Sequence, residues 1–296
     1  MDTQQEILNF YNYQLYDEKI SFDLDSSIQS YSKVNYNEET LDLMHSLIDH
    51  TSLNIRDSKT SIKKFISKLK TNIEKVDIAA PASVCIFPKY IDICKNELKN
   101  TGINIDCVAG GFPFVQTYKE VRELECKLAN DSACDEIDVV IPLGDFVDEE
   151  YTNVREDLKN IRKICKDKTL KVILETGELK KIEYIFVASI LAMEAGCDFI
   201  KSSTGKSSMG VTTEAAYVMA YAIKLFNEKT GKKIGLKLSG GITTTNIAMQ
   251  FISIVHYILG EEWLNKDLLR IGTSSLTEKL QKEYSEFNDK KIVDEE

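Results

Sequence analysis

Apolar residues recur along this chain in two rhythms. Short runs rich in β-branched and aliphatic residues alternate with longer stretches in which apolar positions return every three or four residues. Eight short runs follow one another: LIDHTSL, SVCIFP, NIDCVAGGF, EIDVVIPL, LKVILETG, CDFIKSST, KIGLKLSGG and LLRIGTSS. Such runs, bounded by Gly, Pro, Ser and Thr, predict strands buried on both faces, and the stretches between them predict amphipathic helices. In YKEVRELECKLAND the spacing sets Val121, Leu124 and Leu128 on one apolar face, of the kind that packs on a core. In TTEAAYVMAYAIKLFNEKTG the corresponding face is Ala215, Val218, Met219, Ala222 and Phe226, with Thr212 or Thr213 placed to cap the start and Gly231 to end the helix.

Eight successive β-α units predict a closed (β/α)8 TIM barrel, an α/β fold. A doubly wound open sheet is the alternative, but no GxGxxG follows the first strand. Residues 1–36 are polar, aromatic-spotted and weakly periodic, and read as an N-terminal helical extension. NYNEETLDLMHSLIDHTSLN leads by a helix into a barrel spanning 37–290, and 291–296 form a short charged tail.

Composition narrows the partners. At 296 residues and 43% hydrophobic, the chain can bury one large core as a single barrel domain. Its 47 acidic and 37 basic residues give a net charge of −10, which argues against nucleic acid or an anionic membrane as the main partner. Any anionic ligand must be held by a local device. No stretch approaches eighteen consecutive apolar residues, and MDTQQEILNF lacks the pattern of a secretory leader, so a soluble cytoplasmic protein is expected. The seven cysteines (Cys85, Cys94, Cys107, Cys126, Cys134, Cys165 and Cys197) show no CxxC spacing and read as reduced core residues. The three histidines lack zinc-site spacing, so neither metal nor cofactor is expected.

In a barrel the active site lies at the C-terminal ends of the strands. Three charged residues stand in such places: Asp138 in EIDVVIP, Lys201 in DFIKSST and Lys237 in GLKLSGG. Taken singly, each reads best as a structural ion or a lysine reaching the rim. Together, two ammoniums and a carboxylate satisfy one another inside a barrel that has little room for unpaired charge. A second ammonium beside Lys201 disfavours its charged form and frees an amine to attack a carbonyl, which is imine chemistry without a metal. STGK, SGG and GTSS each follow a strand and precede a helix, where backbone N–H groups and glycine can admit a phosphate. Three such loops at adjacent strand ends, with Lys206 in one of them, outweigh the ordinary reading of glycine as a turn residue.

From about Leu47 to Leu276, through IDHTSLN, VCIFPKYI, EIDVVIPLGDF, DFIKSSTGK, KLSGG and GTSSL, the chain resembles the deoxyribose-phosphate aldolases, lysine-dependent class I aldolases on a (β/α)8 barrel. DFIKSSTGK is the most specific of these segments. The resemblance implies reversible cleavage of 2-deoxy-D-ribose 5-phosphate to D-glyceraldehyde 3-phosphate and acetaldehyde, with no cofactor. It makes Lys201 the Schiff-base lysine, Lys237 the neighbouring ammonium and Asp138 an acid/base group acting with a water. It sets Gly205, Lys206, Gly240, Gly241, Gly272, Ser274 and Ser275 at the phosphate, Asp49 and Thr51 near the sugar hydroxyls, and Cys85 at the pocket border, where a packed core thiol is the plainer reading. SGGITT departs from the family: Thr243 stands where many members carry an arginine. The tail ends DKKIVDEE, and no residue takes the part of the tyrosine the family often uses there. Family members are commonly monomers or dimers, which allows a homodimer. A related aldolase acting on a ketose phosphate and a non-catalytic sugar-phosphate-binding barrel are the alternatives.

Overall fold

A computed structural model describes residues 1, 3–14 and 16–294. The chain begins with α1 (Gln4–Phe10), α2 (Glu18–Asn35) and α3 (Glu38–Ser46) and then enters the barrel. Its first half runs β1 (Ile48–Ser52), α4 (Lys59–Val76), β2 (Ser83–Ile86), α5 (Ile91–Glu97), β3 (Asn104–Ala109), α6 (Lys119–Asn130), β4 (Glu136–Val140), α7 (Leu143–Val147) and α8 (Tyr151–Ile164). The second runs β5 (Thr169–Ile173), α9 (Ile182–Glu194), β6 (Phe199–Lys201), α10 (Thr213–Thr230), β7 (Gly235–Ser239), α11 (Thr245–Leu259), β8 (Leu269–Thr273) and α12 (Leu276–Asp294). Every one of the eight apolar runs supplies a strand. They pair in parallel and in sequence order, and β8 closes on β1. The open-sheet alternative is excluded.

The helix ends follow local chemistry. Thr212 caps α10 by accepting from the Ala215 amide, and Gly231 ends it in the left-handed region at φ 71°. The face of α10 read from the sequence is buried throughout. The face read for α6 is not. Val121, Leu124 and Leu128 do share one side of that helix, but they are 51%, 56% and 63% exposed, while Arg122, Cys126 and Ala129 meet the barrel. Arg122 can do this because its guanidinium donates to the carbonyls of Gly110 and Val140 and pairs with Asp157 at 3.0 Å. A buried arginine whose two terminal nitrogens are partnered therefore takes the place that periodicity gave to leucine.

Within the stretch read as an N-terminal extension, α1 and α2 pack against the outer helices of the second half. Tyr11 stacks on Phe226 and meets Phe186 edge on, and Tyr16 meets Tyr217. At the other end α12 runs on as helix through the stretch read as a tail, as far as Asp294; residues 295–296 lie outside the described residues. All seven cysteines are buried free thiols. No described helix is long and apolar enough to cross a membrane.

Candidate active site

Strand register assembles the site. Lys201 on β6 pairs with Lys237 on β7, Asp138 on β4 with Lys171 on β5, and Asp106 on β3 with Glu136 on β4. Alternation then turns these side chains into the barrel, where they meet in one buried cluster. Lys201 Nζ donates to Asp138 Oδ2 at 2.7 Å, and Lys237 Nζ donates to the same oxygen at 2.8 Å. Lys237 also reaches Asp106 Oδ2 at 2.8 Å and Asp49 Oδ2 at 2.6 Å. Lys171 lies 2.6 Å from Glu136, 3.0 Å from Asp106 and 3.0 Å from Asp138. Arg270 closes the base of the barrel, donating to Asp49 and, through two nitrogens, to Glu136.

Burial and pairing compete at each group. Burial raises the Asp138 carboxyl, but Lys171, Lys201 and Lys237 outweigh it and hold Asp138 well below the usual carboxylate range. Burial disfavours the charge on Lys237, yet Asp106, Asp138 and Asp49 prevail and hold it well above its ordinary value. Lys237 therefore rests as a cation whose field is offset by three carboxylates. Asp106 differs: burial and the nearby Asp138 push it up, Lys171 and Lys237 only partly oppose them, and it settles at about 6. Burial first, then Asp106, holds the Cys85 thiol well above its usual range, so it stays protonated beside Asp138, its Sγ 4.0 Å from Oδ2. Two groups here approach closely enough to bind a metal ion, Asp49 with Asp106 and Glu136, and Cys85 with Asp106 and Asp138. Lysine ammoniums already fill those positions.

A cavity opens above the cluster, at the C-terminal ends of the strands. Thr51, Lys201, Gly205, Lys206, Gly240 and Gly241 line it, joined by Gly272, Ser274 and Ser275 from β8 and the start of α12. The structure thus brings all three glycine-bearing loops together with Lys201. Asp49, Cys85, Asp138 and Lys237 are not among the lining residues; they are fully enclosed beneath it. Thr51 and Asp49 share one face of β1, with Thr51 at the cavity and Asp49 a layer below. Gly240, at φ 90°, packs so closely on the Gly210 backbone that a Cβ would stand 2.8 Å from its Cα. Thr243 also lines the cavity, and Lys279 Nζ donates to its carbonyl at 2.8 Å, bringing a cation to the loop that lacks the arginine. Lys206 Nζ spans the mouth to the Leu53 carbonyl.

The sequence reading missed Asp106, Glu136, Lys171, Arg270 and Glu175. Glu175, buried in the left-handed region at φ 54°, accepts from the Ser203 hydroxyl at 2.8 Å, the Ser207 hydroxyl at 3.1 Å and both the amide and hydroxyl of Thr204. It organises the STGK loop. Its signal is the acidic residue that ends an apolar strand in LKVILETG; that of Lys171 is the apolar-lysine-apolar pattern it shares with Lys237.

Comparison with known proteins agrees with this architecture. Residues 43–261 match the model of the DeoC/LacD family aldolases. A deoxyribose-phosphate aldolase of Homo sapiens is 37% identical over 247 residues, covering 80% of this chain and 78% of that protein. Its Mus musculus counterpart matches at 37% over the same shares. Among solved structures, the tetrameric deoxyribose phosphate aldolase from Aeropyrum pernix superposes with a TM-score of 0.67 at 23% identity, covering 87% of this chain and 96% of that one.

Proposed function

The chain belongs to the DeoC/LacD family of aldolases, and from that membership we propose that it cleaves 2-deoxy-D-ribose 5-phosphate reversibly to D-glyceraldehyde 3-phosphate and acetaldehyde, as a class I aldolase with its Schiff base on Lys201. One observation carries the assignment: of the three lysines in the buried cluster, Lys201 is the one that borders the glycine-lined cavity.

The Lys201 amine adds to the C1 aldehyde of the open-chain sugar and, on loss of water, becomes an iminium. The C3 hydroxyl then gives up its proton, its oxygen becomes the carbonyl of glyceraldehyde 3-phosphate, and the C2–C3 bonding electrons pass into the iminium to leave an enamine. Protonation at C2 restores an iminium, which water hydrolyses to acetaldehyde and free lysine. Each proton needs a group that accepts in one step and donates in another. Asp138, ionised and hydrogen-bonded to both Lys201 and Lys237, is the acceptor, reaching the C3 hydroxyl through a water, and Lys237 resupplies it. Gly205, Lys206, Gly240, Gly241, Gly272, Ser274 and Ser275 hold the phosphate, and Thr51 faces the sugar. Asp49 and Cys85 act from below, Asp49 by fixing Lys237 and Arg270.

Lys201→Ala tests the assignment: turnover is lost while the far-UV circular dichroism is unchanged. Retained turnover would exclude the Schiff base at this residue, and faster turnover of fructose 1,6-bisphosphate would move the substrate to the ketose phosphates.

The protein works as a homodimer in the cytoplasm. Buried free thiols suit a reducing compartment. The exposed face of α6 suits a second copy, because it is self-complementary about a twofold axis at Leu124. Antiparallel pairing there sets Leu124 on its own mate and Val121 against the partner subunit's Leu128. On the other side of the seam Glu120 meets the partner subunit's Lys127, and both contacts occur twice.

A further inference from the structure

Four carboxyls, Asp49, Asp106, Glu136 and Asp138, share the barrel interior with four bases, Lys171, Lys201, Lys237 and Arg270, and all eight are buried. All eight stand in close ion pairs, Lys201 with Asp138 and Asp106 with Lys171 and Lys237 included. Two members are set apart by position: Lys201 is the base that borders the cavity, and Asp106 is the carboxyl with an oxygen, Oδ1, that no base of the cluster contacts. In so buried a space a net charge is costly, so these two keep the cluster neutral in only two ways: both charged, or both neutral.

We propose that Asp106 is the proton store for Lys201, taking up a proton when the lysine becomes a free amine and returning it when the iminium forms. The proposal rests on Lys201 being the imine lysine. The path is continuous: Lys201 Nζ to Asp138 Oδ2 at 2.7 Å, that oxygen to Lys237 Nζ at 2.8 Å, and Lys237 Nζ to Asp106 Oδ2 at 2.8 Å. Lys201 passes a proton to Asp138 while Lys237 passes one to Asp106 and regains one from Asp138. The net change is Lys201 ammonium and Asp106 carboxylate to Lys201 amine and Asp106 carboxylic acid. When the amine condenses with an aldehyde, the stored proton balances the product: amine, aldehyde and carboxylic acid give iminium, water and carboxylate.

The surroundings of Asp106 suit a store. Its Oδ1 is buried and has no hydrogen-bond partner among the described residues, so it can carry a proton without giving up an accepted bond. Around it stand Cys85 on β2 and Asp138 and Glu136 on β4, with Asp49 on β1 also nearby; these acidic groups disfavour its charge or leave it unopposed. Lys171 on β5 and Lys237 on β7 oppose them, with Lys201 and Arg270 one contact further away. Its position at about 6 agrees with a group that exchanges its proton readily.

The test is the rate of iminium formation at Lys201 against pH, with acetaldehyde as the probe. Rapid mixing, a borohydride quench and peptide mass spectrometry would be applied to the intact wild-type protein, Asp106→Asn and Asp106→Glu. Between about pH 7 and 9 the wild-type rate is expected to be flat, because the proton is lent within the cluster, and Asp106→Glu stays flat. In Asp106→Asn the lysine must lose its proton to solvent, and the rate climbs about tenfold per pH unit over the acid part of that range. A wild-type rate that itself climbs, or an Asn profile that superimposes on the wild type, would overturn the proposal. If Asp106→Asn does not fold, the wild-type slope still decides. Absence of any adduct on Lys201 would instead overturn the aldolase reading on which this one stands.

Discussion

Lys171 takes no part in the proposed chemistry, yet it sits among more carboxylates than any other base in the barrel. Asp106, Glu136 and Asp138 lie within 3.0 Å of its ammonium, and Asp49 stands at 3.8 Å. Its worth lies in the charges it neutralises, since a buried carboxylate stripped of its partner is far more costly than the pair is favourable. Lys171→Met is expected to lower stability by about 3–5 kcal/mol in urea titrations. A loss below about 1 kcal/mol would mean that the carboxylates find other partners or take up protons. At this scale the sequence was legible where a charged residue is followed within two positions by hydroxyls and then glycine, as Lys201 and Lys237 are. Asp106 in NIDCVA and Glu136 in EIDVV gave no such sign, because a carboxylate inside a strand is a partner only once the register of neighbouring strands is known.

Among the elements, strands were easier to read than helix faces. A run such as KVIL is buried whichever way the sheet turns, whereas α6 offers two plausible faces and the barrel takes the one with Arg122. That choice leaves Val121, Leu124 and Leu128 in solvent, an apolar stripe of the kind that marks an interface. Leu124→Glu puts like charges face to face at the proposed twofold. It is expected to convert dimer to monomer in sedimentation velocity while leaving turnover per chain within about twofold, since α6 contributes nothing to the cavity. Unchanged sedimentation would exclude this face as the interface. The loops were legible for their glycines but not for Glu175, whose hold on Ser203, Thr204 and Ser207 depends on a left-handed turn after β5 that no local pattern announces.

Over the whole molecule, closure of the barrel was legible from eight evenly spaced units, whereas the way residues 1–36 lie on the outer helices was not, because aromatic contacts between distant segments leave no periodic trace. Closure also buries two histidines outside the site. Burial pushes His45 down to about 4, and burial together with His45 pushes His50 down to about 3. Both hold their hydrogen bonds, to the Ala79 carbonyl and the Thr277 hydroxyl. The unfolded chain binds protons at both positions once the pH falls below the ordinary value of 6.5, and the folded chain does not. Their stabilisation is therefore complete above that value and is lost progressively as pH falls toward 4 and then 3. The urea midpoint is expected to drop between about pH 7 and 5, and to drop less in His45→Gln, measured by tryptophan fluorescence. A parallel fall in both proteins would assign the acid loss to other groups.

The proposed chemistry stands on an imine at Lys201. Incubation with 2-deoxy-D-ribose 5-phosphate, reduction with borohydride, digestion and mass spectrometry decides whether it forms, because reduction makes the imine permanent and the peptide names its lysine. A substrate-dependent adduct on Lys201, absent from the Lys201→Ala protein, is the expected result. No adduct while the sugar phosphate still binds by calorimetry, or an adduct on a different lysine, would contradict it.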